Sequence, residues 1–440
     1  MGKNWRQKLH LEPPQGWLND PNGLCFYQGK YHVYFQYAPD SAEGKGKKCW
    51  GHYQSPDLLN WEFSGIALRP DIAEDRDGVY SGSALIKDGI LHLFYTGNVK
   101  EAGDHDYILT GRGANVIQVS TADGQNMSEK TVVLRNQDYP DFCSCHVRDP
   151  KLWQADGKYY MVLGARTKDD KGCVLTYGSA DLKSWQYEGQ FSLPDFGYMW
   201  ECPDQFGLDG RQYLSISPQG LTPEEFRRQN VYQAGYFYQN EFYEWDYGFD
   251  FYAPQTFPAP DGRRILIGWM GLPDIDYQNP TVQLGWQHCL TVPRVLTALP
   301  DGRLAQYPAK ELEALRQAAG HVAAGTETET TLPFDLEAET AGDFTLTIER
   351  QLVMEYAAGV FRLRFADPAL GGGRESRQLK LERCRKIRIL ADTSSLEIYL
   401  NGGEAVLSTR FYPLADKVSL SLTGLSGRLY EMKGLTFIKI

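Results

Sequence analysis

Asp156-Gly157-Lys158-Tyr159-Tyr160-Met161-Val162-Leu163 joins a tight-turn dipeptide to a short run of aromatic and large apolar residues. Asp-Gly readily takes the positive backbone angles of a two-residue hairpin, and the run after it suits a half-buried strand better than a helix. The unit recurs. Gly29-Lys30 precedes a strand-like run at 31–35, Asp88-Gly89 one at 91–95, Asp209-Gly210 one at 213–216 and Asp261-Gly262 one at 265–269. Glycines 29, 89, 157, 210 and 262 are spaced by 60, 68, 53 and 52 residues. A second element also repeats: Ser55-Pro56-Asp57-Leu58-Leu59-Asn60-Trp61 returns as Ser179-Ala180-Asp181-Leu182-Lys183-Ser184-Trp185. It reads as a turn into an outer strand, its Trp packed between neighbouring sheets. Five repeats of this size predict a five-bladed β-propeller, whose blades leave only short, protected edges.

In three repeats an acid stands just ahead of the turn. Asp20 lies nine residues before Gly29, Asp149 eight before Gly157 and Glu201 nine before Gly210. The innermost strands of a propeller surround its axis, so residues at their starts face one another at the mouth of the central cavity. That geometry gathers Asp20, Asp149 and Glu201 in one pocket. Tyr80 and Pro254 hold the comparable places in the other repeats, and their neighbours Ser81-Gly82-Ser83 and Asp250-Phe251-Tyr252 are placed to line the same cavity.

The pattern changes near residue 300. Residues 310–316 read as a short helix or linker, and from about 324 the sequence alternates over short spans, as in Phe344-Thr345-Leu346-Thr347-Ile348. Asn401-Gly402 is a strong hairpin turn. The expected organisation is a propeller over 1–300, a linker over 301–323 and a β-sandwich over 324–440, an all-β chain throughout.

The 440 residues carry 45 Lys and Arg against 56 acids, a formal charge of −11. An acidic surface repels phosphate backbones, which excludes nucleic acid as a general partner but not one small anion held by a local basic patch. No apolar run approaches the length of a membrane span, and the N-terminal residues lack the apolar stretch of a signal peptide. The eight cysteines are scattered in a chain large enough to need no disulfides, so reduced thiols and a cytoplasmic location are expected.

Each acid sits in a distinctive motif. Trp17-Leu18-Asn19-Asp20-Pro21-Asn22-Gly23 is rich in turn formers, yet it also sets a Trp face and an Asn amide beside the acid, as a sugar site requires. Arg148-Asp149-Pro150 carries an Arg able to orient a carboxylate and keep Asp149 charged. In Met199-Trp200-Glu201-Cys202-Pro203-Asp204, the flanking Trp and Cys predict a partly desolvated Glu201 with a raised pKa, as a proton donor needs. Two carboxyl groups in opposed environments are the requirement for glycoside hydrolysis, but the residues alone leave retention and inversion open. Cys143, Cys145 and His146 lack the distant second pair of a zinc site, and neither a phosphate loop, a dinucleotide fingerprint nor a G-x-S-x-G nucleophile is present.

These motifs, in this order and spacing, resemble the β-fructofuranosidases of glycoside hydrolase family 32, which include invertases, sucrose-6-phosphate hydrolases, levanases and inulinases. The opening signature at 10–23, Arg148-Asp149-Pro150 and Glu201-Cys202-Pro203-Asp204 are similar to the family's three hallmarks. Lesser matches are Gln36, Trp50-Gly51-His52, Tyr80-Ser81-Gly82-Ser83, residues 251–256, Trp286, Pro293-Arg294 and residues 398–404. The resemblance implies a five-bladed propeller joined to a β-sandwich, and hydrolysis of a terminal β-D-fructofuranosyl unit with net retention. Asp20 is then the nucleophile, Glu201 the acid and base, and Asp149 the stabiliser of the transition state. Asn19, Gln36, Trp50, Ser83, Arg148 and Trp286 are the expected fructose binders. No metal or organic cofactor is implied. Sucrose, sucrose 6-phosphate and short fructooligosaccharides are the expected substrates, with fructosyl transfer or sugar binding without turnover as alternatives. Lys45, Lys47, Lys48, His52, His105 and Arg112 are candidates for recognising a phosphate. The sandwich is expected to be a structural partner and a possible homo-oligomer contact.

Overall fold

The computed structural model describes residues 3–438; the outermost limits expected for the two domains lie outside the described residues. Each of the five turns joins two antiparallel strands. These are Gly16–Tyr27 with Lys30–Ala38, Val79–Lys87 with Ile90–Lys100, Cys143–Ala155 with Lys158–Thr167, Met199–Leu208 with Arg211–Gln219, and Tyr252–Pro258 with Arg264–Met270. At the first four turns both central residues have positive φ, for example 50° at Asp156 and 73° at Gly157; in the first turn the pair is Gln28-Gly29, and Lys30 already belongs to the strand. Such turns match the twist of the flanking strands.

Two further antiparallel strands extend each pair into a four-stranded blade. The innermost strand of each blade packs on that of the next, and Tyr252–Pro258 packs on Gly16–Tyr27 to close the ring. The two Ser-x-Asp-Leu motifs are turns in which the Asp accepts backbone N–H groups, Asp57 from Leu59 and Asn60, and Asp181 from Lys183 and Ser184. Trp61 is buried in the cluster joining the first, fourth and fifth blades, and Trp185 packs against Phe94 of the second. A third, degenerate copy at Thr121–Met127 makes the same turn around Asp123.

The sandwich consists of two six-stranded sheets whose inner faces share one core, including Phe334, Leu336, Leu346, Met354, Ile389 and Leu420. The alternation predicted at 344–348 appears as alternating burial. The expected linker is different. Leu304–Pro308 is the outer strand of the fifth blade, and Arg316–Val322 already pairs with Ser426–Met432 in the sandwich. Only the 3-10 helix Lys310–Leu315 lies between them, held down by buried Leu312 and Leu315. The chain then leaves the sandwich: Thr436–Ile438 pairs parallel to the outer strand of the first blade.

Candidate active site

Every innermost strand breaks its pairing register near the mouth. The breaks fall between Leu18 and Pro21, Val79 and Gly82, Glu201 and Asp204, and Tyr252 and Gln255, and in the third blade opposite Val162 and Gly164. A bulge sets two residues against one, bends the strand and re-aims its side chains. Asp149, Cys202 and Ala253 take φ of 64°, 46° and 46° there, and each is followed by Pro, which a bulge tolerates because no ladder N–H is needed. Asp20-Pro21 and Ser81-Gly82 occupy the same place in the first two blades. The true equivalents around the ring are therefore Asp20, Ser81, Asp149, Cys202 and Ala253. Tyr80 and Pro254 stand one residue to either side of that ring, and Glu201 precedes its own ring position.

The ring joins the acids. The Cys202 thiol lies 3.7 Å from Asp20 Oδ2 and 3.6 Å from Asp149 Oδ2, and the Cys202 N–H donates to Asp149 Oδ2 at 2.9 Å. Asp20 accepts from Asn19 Nδ2 at 3.0 Å and from Ser81 Oγ at 2.5 Å. Asn19 also donates to Gln36 Oε1 at 2.8 Å, and Gln36 Nε2 donates to Ser81 Oγ at 2.7 Å. Both oxygens of Asp20 are thus held by one closed network. Burial raises the Asp20 carboxyl, and the bonds from Ser81 and Asn19 oppose that.

Arg148 does not pair with Asp149. Its Nε and Nη2 donate to Glu201 Oε1 at 3.1 and 2.7 Å, while Gln219 Nε2 and Tyr252 Oη donate to Oε2 at 2.8 and 2.7 Å. Trp200, expected to desolvate Glu201, points the other way. It is buried between the third and fourth blades with its Nε1 donating to the Phe196 carbonyl, and a Cβ at Gly164 would lie 2.0 Å from its own carbonyl oxygen. Strand alternation sends neighbouring side chains to opposite faces, so flanking residues are poor guides to a strand acid's surroundings. The Asp149 carboxyl, like that of Asp20, is raised. Burial lifts it to about 7, with Arg148 opposing and Glu201 adding to the shift.

Of the residues expected to bind fructose, Asn19, Gln36 and Arg148 join the hydrogen-bond network of the acids, and Trp50, Ser83 and Trp286 stand outside it. Trp50 fills the wedge between the first two blades against Tyr34 and Tyr95 and donates to the Tyr80 carbonyl. Ser83 spends its hydroxyl on Pro150 O and Leu152 N, stitching the second blade to the third. Trp286 lies between the guanidinium groups of Arg6 and Arg410, at 4.5 and 5.7 Å. The aromatic side chain bonded into the network is Trp17, whose Nε1 donates to Asn19 at 2.9 Å, backed by buried Trp269, edge-on to Trp17 at 5.7 Å and to Tyr252 at 6.3 Å. The Pro after four of the five ring positions was the available signal for the bulges, and hence for Ser81 rather than Ser83.

The second strand of each blade runs back to the mouth, so the loop before the third strand rims the cavity. Lys45, Lys47 and Lys48 lie on the first such loop. Lys45 pairs with Glu43 at the surface and Lys47 is exposed. Lys48 lies 5.0 Å over the Trp17 ring, and burial pushes its ammonium down to about 8 against the pull of Asp20. His52 is a core residue stacked on Tyr34 at 4.1 Å. His105 sits on the second loop beside Thr110, and Arg112 begins the strand that follows it.

With this geometry in place, the relatives can be compared. Residues 10–308 match the glycosyl hydrolases family 32 N-terminal domain, and residues 306–429 the family 32 C-terminal domain. The chain belongs to glycosyl hydrolase family 32. It is 39% identical to a sucrose-6-phosphate hydrolase of Bacillus subtilis, over 96% of this chain and 92% of that one. It is 38% identical to a raffinose invertase of Escherichia coli, over 97% and 93%. Among solved structures, the sucrose-6-phosphate hydrolase of Lactobacillus gasseri superimposes with a TM-score of 0.88 at 30% identity, covering 98% of this chain and 94% of that one. The family 32 β-fructofuranosidase of Bombyx mori gives 0.86 at 30% identity, covering 99% and 95%. This family 32 chain is a glycoside hydrolase with the propeller and sandwich that its repeats predict. No helix among the described residues is long and apolar enough to cross a membrane.

Proposed function

We propose that this enzyme releases β-D-fructose from the non-reducing end of sucrose or sucrose 6-phosphate, with short fructooligosaccharides as further substrates, and does so with net retention. The observation that carries this reading is the convergence of Asp20, Asp149 and Glu201 from three blades onto one mouth, with the Cys202 thiol between the two aspartates and Arg148 on Glu201. Asp20 attacks the anomeric C2. Its carboxylate is aimed by Asn19 and Ser81, which hold it without a permanent cation that would blunt it. Glu201 protonates the departing glycosidic oxygen and then takes a proton from the water that cleaves the fructosyl-enzyme. Its four hydrogen bonds all come from N–H and O–H donors, as suits the acceptor of the second step, and proton donation requires the substrate to loosen the Arg148 pair. Asp149 accepts fructose hydroxyls, with Trp17, backed by Trp269, as the apolar wall.

Asp20→Asn and Glu201→Gln are near-isosteric, and each is expected to lower kcat on sucrose by about 10³-fold or more while the melting temperature holds. An activated leaving group should rescue Glu201→Gln selectively. A variant keeping a tenth of wild-type turnover would remove that residue from its role. We also assign the enzyme to the cytoplasm: its eight cysteines stand unpaired, as suits a reducing compartment.

A further inference from the structure

Resting on the assignment of Glu201 as proton donor, we propose that Arg112 selects the leaving group: its guanidinium receives a phosphate monoester carried by the sugar that departs.

The direction of departure follows from the acids. Fructose lies over Asp20 and Asp149, so the glycosidic oxygen and the sugar beyond it extend past Glu201. On that side Arg148 grips Glu201 and passes its Nη1 to His146 Nδ1 at 2.7 Å. His146 Nε2 then donates to the Tyr107 carbonyl at 2.9 Å, which ties the rim loop at 101–111 to the acid and base. Arg112 ends that loop, and the groups that act on it electrostatically are Tyr80, Arg148, Cys145 and Glu201.

Other cations of the mouth are either engaged or exposed to water. Arg148 has Glu201, Arg166 has Asp170, Lys171 has Asp169, Arg228 has Glu224 and Lys45 has Glu43. Lys48 donates to the Gly44 carbonyl, Lys47 and Lys168 are exposed to water, and so is Lys100, which stands opposite Arg112 in the strand pair and lies 5.7 Å over the Tyr107 ring. Arg112 is neither paired nor free in solvent. Its Nε is buried without a hydrogen-bond partner, and among the described residues no carboxylate forms an ion pair with it. Burial lowers its proton affinity, the direction expected of a guanidinium that lacks a compensating anion. His146 cannot serve as a second cation, because burial and then Arg148 and Arg112 push its imidazole down to about 3.

An unpaired, desolvated charge is costly until a counterion arrives. A phosphate dianion matches the planar fork of a guanidinium by paired hydrogen bonds, and no sugar hydroxyl matches it equally. The curated relatives include enzymes named for sucrose 6-phosphate and one named for raffinose, so membership of the family leaves this choice to the rim.

The test is the ratio of kcat/KM for sucrose 6-phosphate to that for sucrose, in the wild type, Arg112→Met and Arg112→Lys. A wild-type ratio of at least ten that falls at least tenfold in Arg112→Met is expected, with Arg112→Lys between them because it keeps the charge but not the fork. A ratio unchanged in Arg112→Met, or near one in the wild type, overturns the role of Arg112 while leaving the fructosidase standing. If Arg112→Met does not fold, an unchanged ratio in Arg112→Lys overturns it as well. A wild type that cleaves neither sugar defeats the fructosidase reading itself, and the leaving-group role with it.

Discussion

At the mouth of the propeller three carboxylates share one directly bonded guanidinium, that of Arg148. At the seam between propeller and sandwich, Asp246, Asp250, Asp392 and Glu397 meet Arg294, Arg374, Arg410 and His10, all in the fully buried interior. His10 bridges Asp392 at 2.8 Å and Glu397 at 2.9 Å. Arg294 donates to Glu397 Oε2 at 2.8 Å and to Ser408 Oγ at 2.6 Å, and lies 3.3 Å from Asp246. Arg374 holds both oxygens of Asp250, which also accepts the backbone N–H of Arg410. Buried charges are tolerable when paired and hydrogen-bonded. The outcome follows the partners: Glu397, between Arg294 and His10, is held near 2, whereas burial raises Asp246, with Arg294 at 3.3 Å, to about 6 and Asp149, with no bonded cation, to about 7. The seam fixes two domains in one geometry. The mouth keeps like charges together because the chemistry needs an attacking carboxylate and a second carboxyl beside it.

The contrast predicts opposite responses to the loss of a charge. Arg294→Met strips Glu397, Asp246 and Ser408 of their shared partner and strands buried anions. Breaking such a network costs about 3–5 kcal/mol, to be read as a loss in guanidinium denaturation at pH 7. A loss under about 1 kcal/mol would mean that the seam charges are not energetically coupled.

Asp149→Asn should do the reverse. The wild-type carboxyl has a folded pKa of about 7 against an ordinary value of 3.8, so the folded chain binds the proton more tightly than the unfolded one. Stability therefore falls as pH rises from about 4 to about 7, and the ionised form carries a cost on the order of 2–4 kcal/mol above that window. The amide removes this cost. The variant is expected to lose fructose release yet gain stability at pH 8, and little at pH 4. A variant less stable than wild type at pH 8 would show that the carboxylate is compensated after all.

This asymmetry also marks what the chain discloses before folding. The propeller is legible because hairpin turns and short strands are local, and the three acids because each precedes its turn by nearly the same distance. Partner choice is not local. Arg148 and Asp149 are adjacent in sequence, but the bulge aims the Arg across the mouth at Glu201, 53 positions away. Trp200 sits beside Glu201 and faces away from it, and Trp50 and Trp286 are core although their sequence contexts resemble binding motifs. The seam is the least legible part. His10 finds Asp392 across 382 positions, and no period or spacing joins them. The boundary at 301–323 failed for a related reason: Leu304–Pro308 and Arg316–Val322 are strands only because a blade and a sheet stand ready to pair with them.

His10 offers the finest separation of the two regions. Burial alone would lower its imidazole, but the hydrogen bonds to Asp392 and then Glu397 more than reverse this and raise it to about 9 from 6.5. A raised histidine contributes stability that is fully present below about pH 6.5 and is lost as pH climbs through about 9, a slope of at most about 1.4 kcal/mol per pH unit for one proton. The window of Asp149 closes near pH 7, where that of His10 opens. Denaturation midpoints at pH 5, 7 and 9, compared between wild type and variant, thus isolate Asp149 over the lower interval, which Glu12, Glu244 and Asp246 share, and His10 over the upper, which Lys48 shares. Asp149→Asn should flatten only the lower interval. His10→Asn, less stable throughout, should flatten only the upper, because the remaining carboxylates no longer gain or lose the imidazolium. A difference between wild type and His10→Asn that held level from pH 7 to 9 would mean that His10 carries no titrating proton there, its two carboxylates being held by Arg294, Tyr399 and the backbone N–H groups of Lys8, Leu9, Val292 and Thr393.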